Sequence, residues 1–441
     1  MPIARRLAHH PPSATHNHNA AASSLPIELL SEIFQVGLAE YPPHDLHSIK
    51  YLNVISSTCR AWRYAALGTS SLWRCITYEE KDSNCDPNPK PQTISHRTKE
   101  RLSAYLSRSK GCSIILCLTF RKSSVRLQRI KKIVYPHLTR CLSITLSLLS
   151  KSDVRNFFPL PGNLYQLTTL TCITRSEYYG WYGGTIFTER GSVSLRKLIL
   201  DNTCLLLDTM NAQDLEEVYL TRDYGVWPES MAFISRCRSL STLVCHTRLD
   251  AEQPFTPVTL PTLTHIDAVY PSTLLAVRAP SLRTLILRVG MGAHDDDDDD
   301  DDDDNLILLP SWPSLTTFGV VGRYTDSDAV KSLLFSNAGI RRFILVGCGG
   351  IARLLGGDNP DGVVDTHGAM LLPSLGLLLI CGYRAEHTAR SLGALLTRRP
   401  ELRIEYDENN EELDPDILKA AFEETSQDDE PGVFESHAFR G

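Results

Sequence analysis

The feature that most limits how this chain can fold is an apolar triplet, at the first, fourth and sixth positions of a short segment, that recurs nine times. It stands at Leu167-Leu170-Cys172, Leu195-Leu198-Leu200, Leu215-Val218-Leu220, Leu240-Leu243-Cys245, Leu263-Ile266-Ala268, Leu282-Leu285-Leu287, Leu315-Phe318-Val320, Ile340-Phe343-Leu345 and Leu375-Leu378-Ile380. Copies begin 19 to 35 residues apart, and one 33-residue step holds ten consecutive aspartates, Asp295 to Asp304, without which it is 23 residues. Self-similarity at such a period marks a repeat array. No single copy can bury its own apolar face, so each strand must lie parallel to the next and cover it. The chain is therefore expected to form an α/β solenoid over residues 156–406, with parallel strands on one side and helices or loops on the other. The aspartate run is then an insertion between two repeats.

In this arrangement the second, third and fifth positions turn to the other, concave face. They include Arg196, Lys197, Glu216, Glu217, Tyr219, His265, Asp267, Arg283, Arg341 and Arg342. A mixed charged surface suits a protein partner, which makes these residues candidate substrate contacts; the same positions are equally read as solvated strand faces. The spacing resembles that of leucine-rich repeats. The asparagine expected at the ninth position is replaced by Thr203, Asp223 and Arg248, so the expected horseshoe is irregular.

Composition removes several other classes. With 42% hydrophobic and 22% charged residues, the chain is neither wholly disordered nor a disulfide miniprotein. The most apolar uncharged stretch, Gly368 to Tyr383, is broken by Pro373 and is shorter than the ~20 residues of a membrane helix. Residues 1–24 have no apolar run of the kind a secretory signal needs. They read as a disordered tail, and the expected location is cytoplasmic, nuclear or both. The 12 cysteines lack metal-ligand spacing and behave as small hydrophobes, while His9, His10, His16 and His18 sit in the tail, where ordering them around a metal carries an entropy cost. No metal site or cofactor is expected.

Charge is segregated. The aspartate run contributes -10 and residues 401–441 contribute -11 to a net charge of -7, which leaves the rest of the chain strongly basic. Residues 97–155 hold 14 basic side chains against Glu100 and Asp153. Without aromatic interleaving, this stretch reads as solvated helical surface leading into the first repeat elements, and no nucleic-acid partner is expected.

Residues 25–34, LPIELLSEIF, start a helix with Ser24 as the N-cap and Pro26 in the first turn. The spacing of Ile49, Leu52, Ile55, Cys59, Trp62 and Ala66 predicts one second helix, and Leu72 and Trp73 follow as bulky anchors. Two or three short helices cannot cover this much apolar surface alone, so a partner should cover the remainder. The leucine-proline opening at Leu25 and Pro26, then Leu29, Leu30, Ile33 and Phe34, the element Cys59-Arg60-Ala61-Trp62-Arg63, and the closing Leu72-Trp73 resemble the F-box. The loop at residues 40–50 is longer than in the shortest members.

The resemblance covers residues 25–78 and continues loosely through residues 101–120, as in large fungal F-box families. It implies contact with the adaptor subunit of a cullin-RING (SCF-type) ubiquitin ligase, and through it with the cullin scaffold. It assigns that contact to Leu25, Pro26, Leu29, Leu30, Ile33, Phe34, Cys59, Trp62, Arg63, Leu72 and Trp73. A ligase-independent repeat scaffold is the alternative.

One further motif stands out. Gly347-x-Gly349-x-x-Ala352 after an apolar strand matches a dinucleotide fingerprint, but no second strand with a closing acid follows at the needed distance. The same glycines serve as the turn leaving a repeat strand. No catalytic motif occurs, so no enzymatic activity is expected. Residues 407–441 read as an acidic end, with a capping helix near Asp414 to Phe422 and a disordered tail. Replacing Asp295 to Asp304 with a short Gly/Ser linker should change stability by only ~1 kcal/mol, because loop length enters closure entropy logarithmically; thermal unfolding of the two proteins checks this.

Overall fold

The structure, a computed structural model, describes residues 25–41, 46–80, 96–121, 124–158, 160–161, 163–174, 184–186, 194–203, 205–206, 212–221, 227–246, 257–269, 271–289, 310–322, 328–347, 372–381 and 401–407. The N-terminal tail, the aspartate run, Gly349 and Ala352 of the glycine motif, and the helix expected near Asp414 lie outside them.

Three helices open the fold: α1 (Ile27–Ala39), α2 (Leu46–Thr58) and α3 (Arg60–Gly68), closed by a 3-10 turn at Ser70–Trp73. Pro26, rather than Ser24, occupies the N-cap of α1. The single second helix expected from residue 49 onward is two helices. Ser57 and Thr58 donate their hydroxyls to the Val54 carbonyl at 3.0 and 2.8 Å, competing for a helical acceptor. Cys59 is extended (φ -150°, ψ 174°), and its Sγ accepts from the Trp62 N–H at 3.5 Å as the cap of α3. Apolar spacing runs straight through this break, because both helices face one core.

All thirteen strands of the main sheet are parallel. They are β1 (Cys75–Glu79), β2 (Ile114–Thr119), β3 (Cys141–Leu148), β4 (Thr169–Thr174), β5 (Lys197–Asp201), β6 (Glu217–Thr221), β7 (Thr242–Cys245), β8 (His265–Ala268), β9 (Thr284–Val289), β10 (Thr317–Gly322), β11 (Arg342–Val346), β12 (Leu377–Cys381) and β13 (Arg403–Asp407). Spatial order follows chain order throughout. Helices α4 (His96–Arg108), α5 (Ser124–Val134) and α6 (Lys151–Phe157) fill the crossovers among β1, β2, β3 and β4. The result is a helical N-terminal region followed by a solenoid-like α/β sheet.

The nine triplets supply β4 to β12, and their fourth positions align in register as Leu170, Leu198, Val218, Leu243, Ile266, Leu285, Phe318, Phe343 and Leu378, all with no exposed surface. Ile76, Leu116 and Ile144 extend the row through β1, β2 and β3. In place of an asparagine ladder, hydroxyls at second positions tie the turns. Thr168, Ser241, Thr264 and Thr316 donate to the carbonyls of Leu142, Glu216, Ser241 and Arg283 at 3.0 to 3.3 Å.

Trp73 joins the helices to the sheet. It is 1% exposed, donates its indole N–H to the Ala66 carbonyl at 2.7 Å, packs 5.1 Å from the Tyr105 ring of α4 and carries the Arg108 guanidinium at 4.6 Å. It also stands three residues before Ile76, which is the first position of the β1 repeat. Just after β1, buried Glu80 accepts from Arg126 at 2.6 Å and from the Arg121 N–H at 2.8 Å, locking the edge of the sheet to the segment that follows β2. Trp73→Ala should lower unfolding free energy by about 3 to 5 kcal/mol in urea titrations, with α4 losing amide protection together with the N-terminal helices.

Candidate functional site

Helix α1 carries two apolar stripes. Leu30 and Phe34 face inward and are 1% exposed, and the Trp62 ring meets Phe34 edge-on at 5.1 Å. On the other side Leu29, Ile33 and Val36, at i, i+4 and i+7, are 46, 50 and 68% exposed. Leu25, Ile27, Val54 and Tyr64 are further large exposed apolar side chains, and a shallow groove between α1 and α3 is lined by Ile27, Ser31, Tyr64 and Gly68. Burial of the first stripe accounts for the fold. The second has no counterpart in it among the described residues, and a concentration of exposed apolar groups on one helix marks an interaction surface.

The eleven residues assigned to adaptor contact therefore divide. Leu25, Pro26, Leu29 and Ile33 are exposed and accessible to a partner. Leu30, Phe34, Leu72 and Trp73 are internal and hold the helices in place. Cys59 and Trp62 are half-buried at the start of α3, and Arg63 spends its Nε–H on the Ser56 carbonyl at 2.8 Å. Ile27, Val36, Val54 and Tyr64 were not singled out from sequence. Val36 stands seven residues after Leu29, on the stripe across α1 from Phe34, and that spacing was the available signal for it; Ile27 in the first turn, and Val54 and Tyr64 on α2 and α3, carry no signal of this kind.

Residues 22–79 match the F-box-like family model. The match coincides with the three helices, the 3-10 turn and β1. No curated protein matches the chain. F-box domains generally bind the adaptor subunit of cullin complexes, so this region points to a role in an SCF-type ubiquitin ligase.

The face of the sheet opposite the core differs from the uniformly mixed charged surface expected. At its fifth positions stand Thr171, Ile199, Tyr219, Val244, Asp267, Ile286, Gly319, Ile344 and Leu379 in register. From β9 to β12 this face is apolar, with Ile286, Val321, Ile344, Val346 and Cys381 forming a second buried cluster. A motif search keyed to inward positions does not register these residues, because they alternate with the triplet.

Several predicted substrate contacts pair with one another. Arg196 meets Glu216 at 3.4 Å and Lys197 meets Glu217 at 2.6 Å, while the Tyr219 hydroxyl donates to Glu217 at 3.1 Å and lies under the Lys197 ammonium. Burial works against the charged form of Lys197, yet Glu217 and Tyr219 hold its pKa above the usual lysine value. His265 is pushed below the usual imidazole value by burial, so it is neutral near pH 7. Arg283 and Arg341 are exposed, and Arg342 is half-buried.

Asp267 is 5% exposed and receives Arg288 through Nε at 2.8 Å and Nη2 at 2.8 Å, with His246 Nε2 at 3.2 Å. Burial alone would raise its pKa, but hydrogen bonds from His246 and Arg288, together with the guanidinium charge, hold it at about 2. The cations of residues 97–155 are also partly internal in role. Arg126 serves Glu80, and Arg140 satisfies the carbonyls of Leu106, Lys110 and Cys112 at the end of α4. Lys99, Arg101, Arg129 and Lys132 remain exposed on α4 and α5. Among the described residues, no three His, Cys, Asp or Glu side chains converge on a metal site and no helix is long and apolar enough to cross a membrane.

Because the folded pKa of Asp267 lies below its unfolded value near 3.9, its stabilising contribution is complete above that value and is lost as pH falls toward 2. Asp267→Asn should therefore cost about 2 kcal/mol at pH 7 and flatten the acid limb of the stability profile between about pH 4 and 2, read from urea unfolding at several pH values.

Proposed function

We propose that the chain is a substrate-recognition subunit of an SCF-type ubiquitin ligase. It binds the adaptor through the outer stripe of α1 and, through the adaptor, the cullin scaffold; the leucine-rich-repeat-like sheet holds a protein substrate. The observation that carries this reading is the exposed row Leu29, Ile33 and Val36 inside the segment that matches the F-box-like model. In this role the chain performs no chemistry of its own. It keeps a target close to a charged conjugating enzyme, which raises the effective concentration of the reacting groups.

The packing around Trp73 and the ion pairs of Glu80 support a fixed path from α1 into the first strands. A rigid connection suits a subunit whose output is proximity, since a bound target is then presented at a set position.

Leu29→Ala with Ile33→Ala should abolish capture of the adaptor and cullin in a reconstituted pull-down. Truncating two central apolar anchors costs on the order of several kcal/mol of binding, while removing exposed side chains leaves folding within about 0.5 kcal/mol each. Failure of the wild-type chain to capture the adaptor would leave the ligase-independent scaffold as the reading.

A further inference from the structure

Second-position residues of consecutive repeats are tied in one row by backbone hydrogen bonds. The Arg283 carbonyl accepts from Thr316 N–H at 3.0 Å, Thr316 from Arg341 at 2.8 Å, and Arg341 from Gly376 at 2.8 Å. Arg283 and Arg341 are thus two strands apart on the rim where β9 and β11 begin, and both are exposed. From Ser241 to Gly376 this row contains no carboxylate; Ser, Thr and Gly fill the other places. In the β5 repeat the equivalent cations, Arg196 and Lys197, each face a glutamate of the β6 repeat. Among the described residues, Arg283 and Arg341 have no such counter-ion.

We propose that this arginine rim, Arg283 and Arg341 at the starts of β9 and β11, is a docking site for an acidic peptide segment of a protein substrate, a run of aspartate and glutamate laid across the strands. The inference rests on the substrate-recognition reading above and adds the chemical class of the target. Charge complementarity selects an anionic occupant, and spacing selects its form. Neighbouring strands are about 4.8 Å apart, so Arg283 and Arg341 are separated by roughly 10 Å along the row. A peptide in the polyproline II conformation advances about 3.1 Å per residue with three residues per turn, so carboxylates three residues apart lie on one side of it, roughly 9 Å apart, and meet the two arginines. A row spread in this way fits distributed carboxylates better than one compact phosphate. Arginine's planar donor fork pairs with each carboxylate through two parallel hydrogen bonds.

The test uses the full-length chain and a fluorescein-labelled peptide with eight alternating Asp and Glu residues between Gly/Ser flanks, followed by anisotropy at low and at physiological salt. Wild-type protein should bind it, with affinity falling as salt rises. Arg283→Glu with Arg341→Glu should weaken binding at least tenfold, whereas Lys99→Glu with Lys132→Glu, an equal charge change on the helices, should alter it less than twofold. Equal losses in both double variants would show non-specific attraction and overturn the proposal. So would preference for a peptide of the same length carrying a single phosphoserine and no acidic run. Circular dichroism and adaptor capture are read on the same proteins. Capture without peptide binding removes this site and leaves the ligase reading intact; peptide binding without capture does the reverse.

Discussion

One unbroken row of apolar side chains, from Ile76 on β1 to Leu378 on β12, is the contact on which the rest of the molecule depends. Each member covers its two neighbours, and none is exposed. Parallel pairing forces every strand to be followed by a crossover, so helices and loops must return along the core side. That arrangement leaves the opposite face free to vary from strand to strand. It is hydroxyl-rich at Thr145 on β3 and Thr171 on β4, which pair in register, ion-paired at Lys197 and Glu217, buried and charged at Asp267, and apolar from Ile286 to Leu379.

The row begins where the helical region ends, and Trp73 belongs to both. In the helical region it closes the three-helix packing through Ala66; in the sheet it takes the first position of the first repeat, three residues before Ile76. The helical and sheet-forming segments therefore share one buried side chain. Glu80, with Arg121 and Arg126, secures the same junction on its far side.

How much of this was legible in the sequence depends on which position carried the signal. The nine copies that begin with Leu or Ile were readable, and each became a strand. Strands β1, β2, β3 and β13 follow the same register, but their first positions are Trp73, Ser113, Cys141 and Glu401, so a leucine-keyed pattern passes over them. The break at Cys59 was hidden for a different reason: a cap changes the backbone direction without interrupting the apolar spacing. In the F-box-like segment the residue types were readable, but their orientation was not. Leu29 and Leu30 are identical in composition and adjacent in sequence, and only packing places one at 46% exposure and the other at 1%. The pairing of Arg196 with Glu216 was equally invisible, since it requires the register between two strands 20 residues apart in sequence.

On the proposed reading, α1 presents its outer stripe to an adaptor while the sheet keeps its packing. Hydrogen-deuterium exchange of the full chain, with and without purified adaptor, tests it most directly. Slowed exchange confined to residues 25–39 and the adjoining α3, with β4 to β12 unchanged, is the predicted result. Unchanged exchange over α1 at saturating adaptor, or protection confined to the sheet strands, would contradict the account.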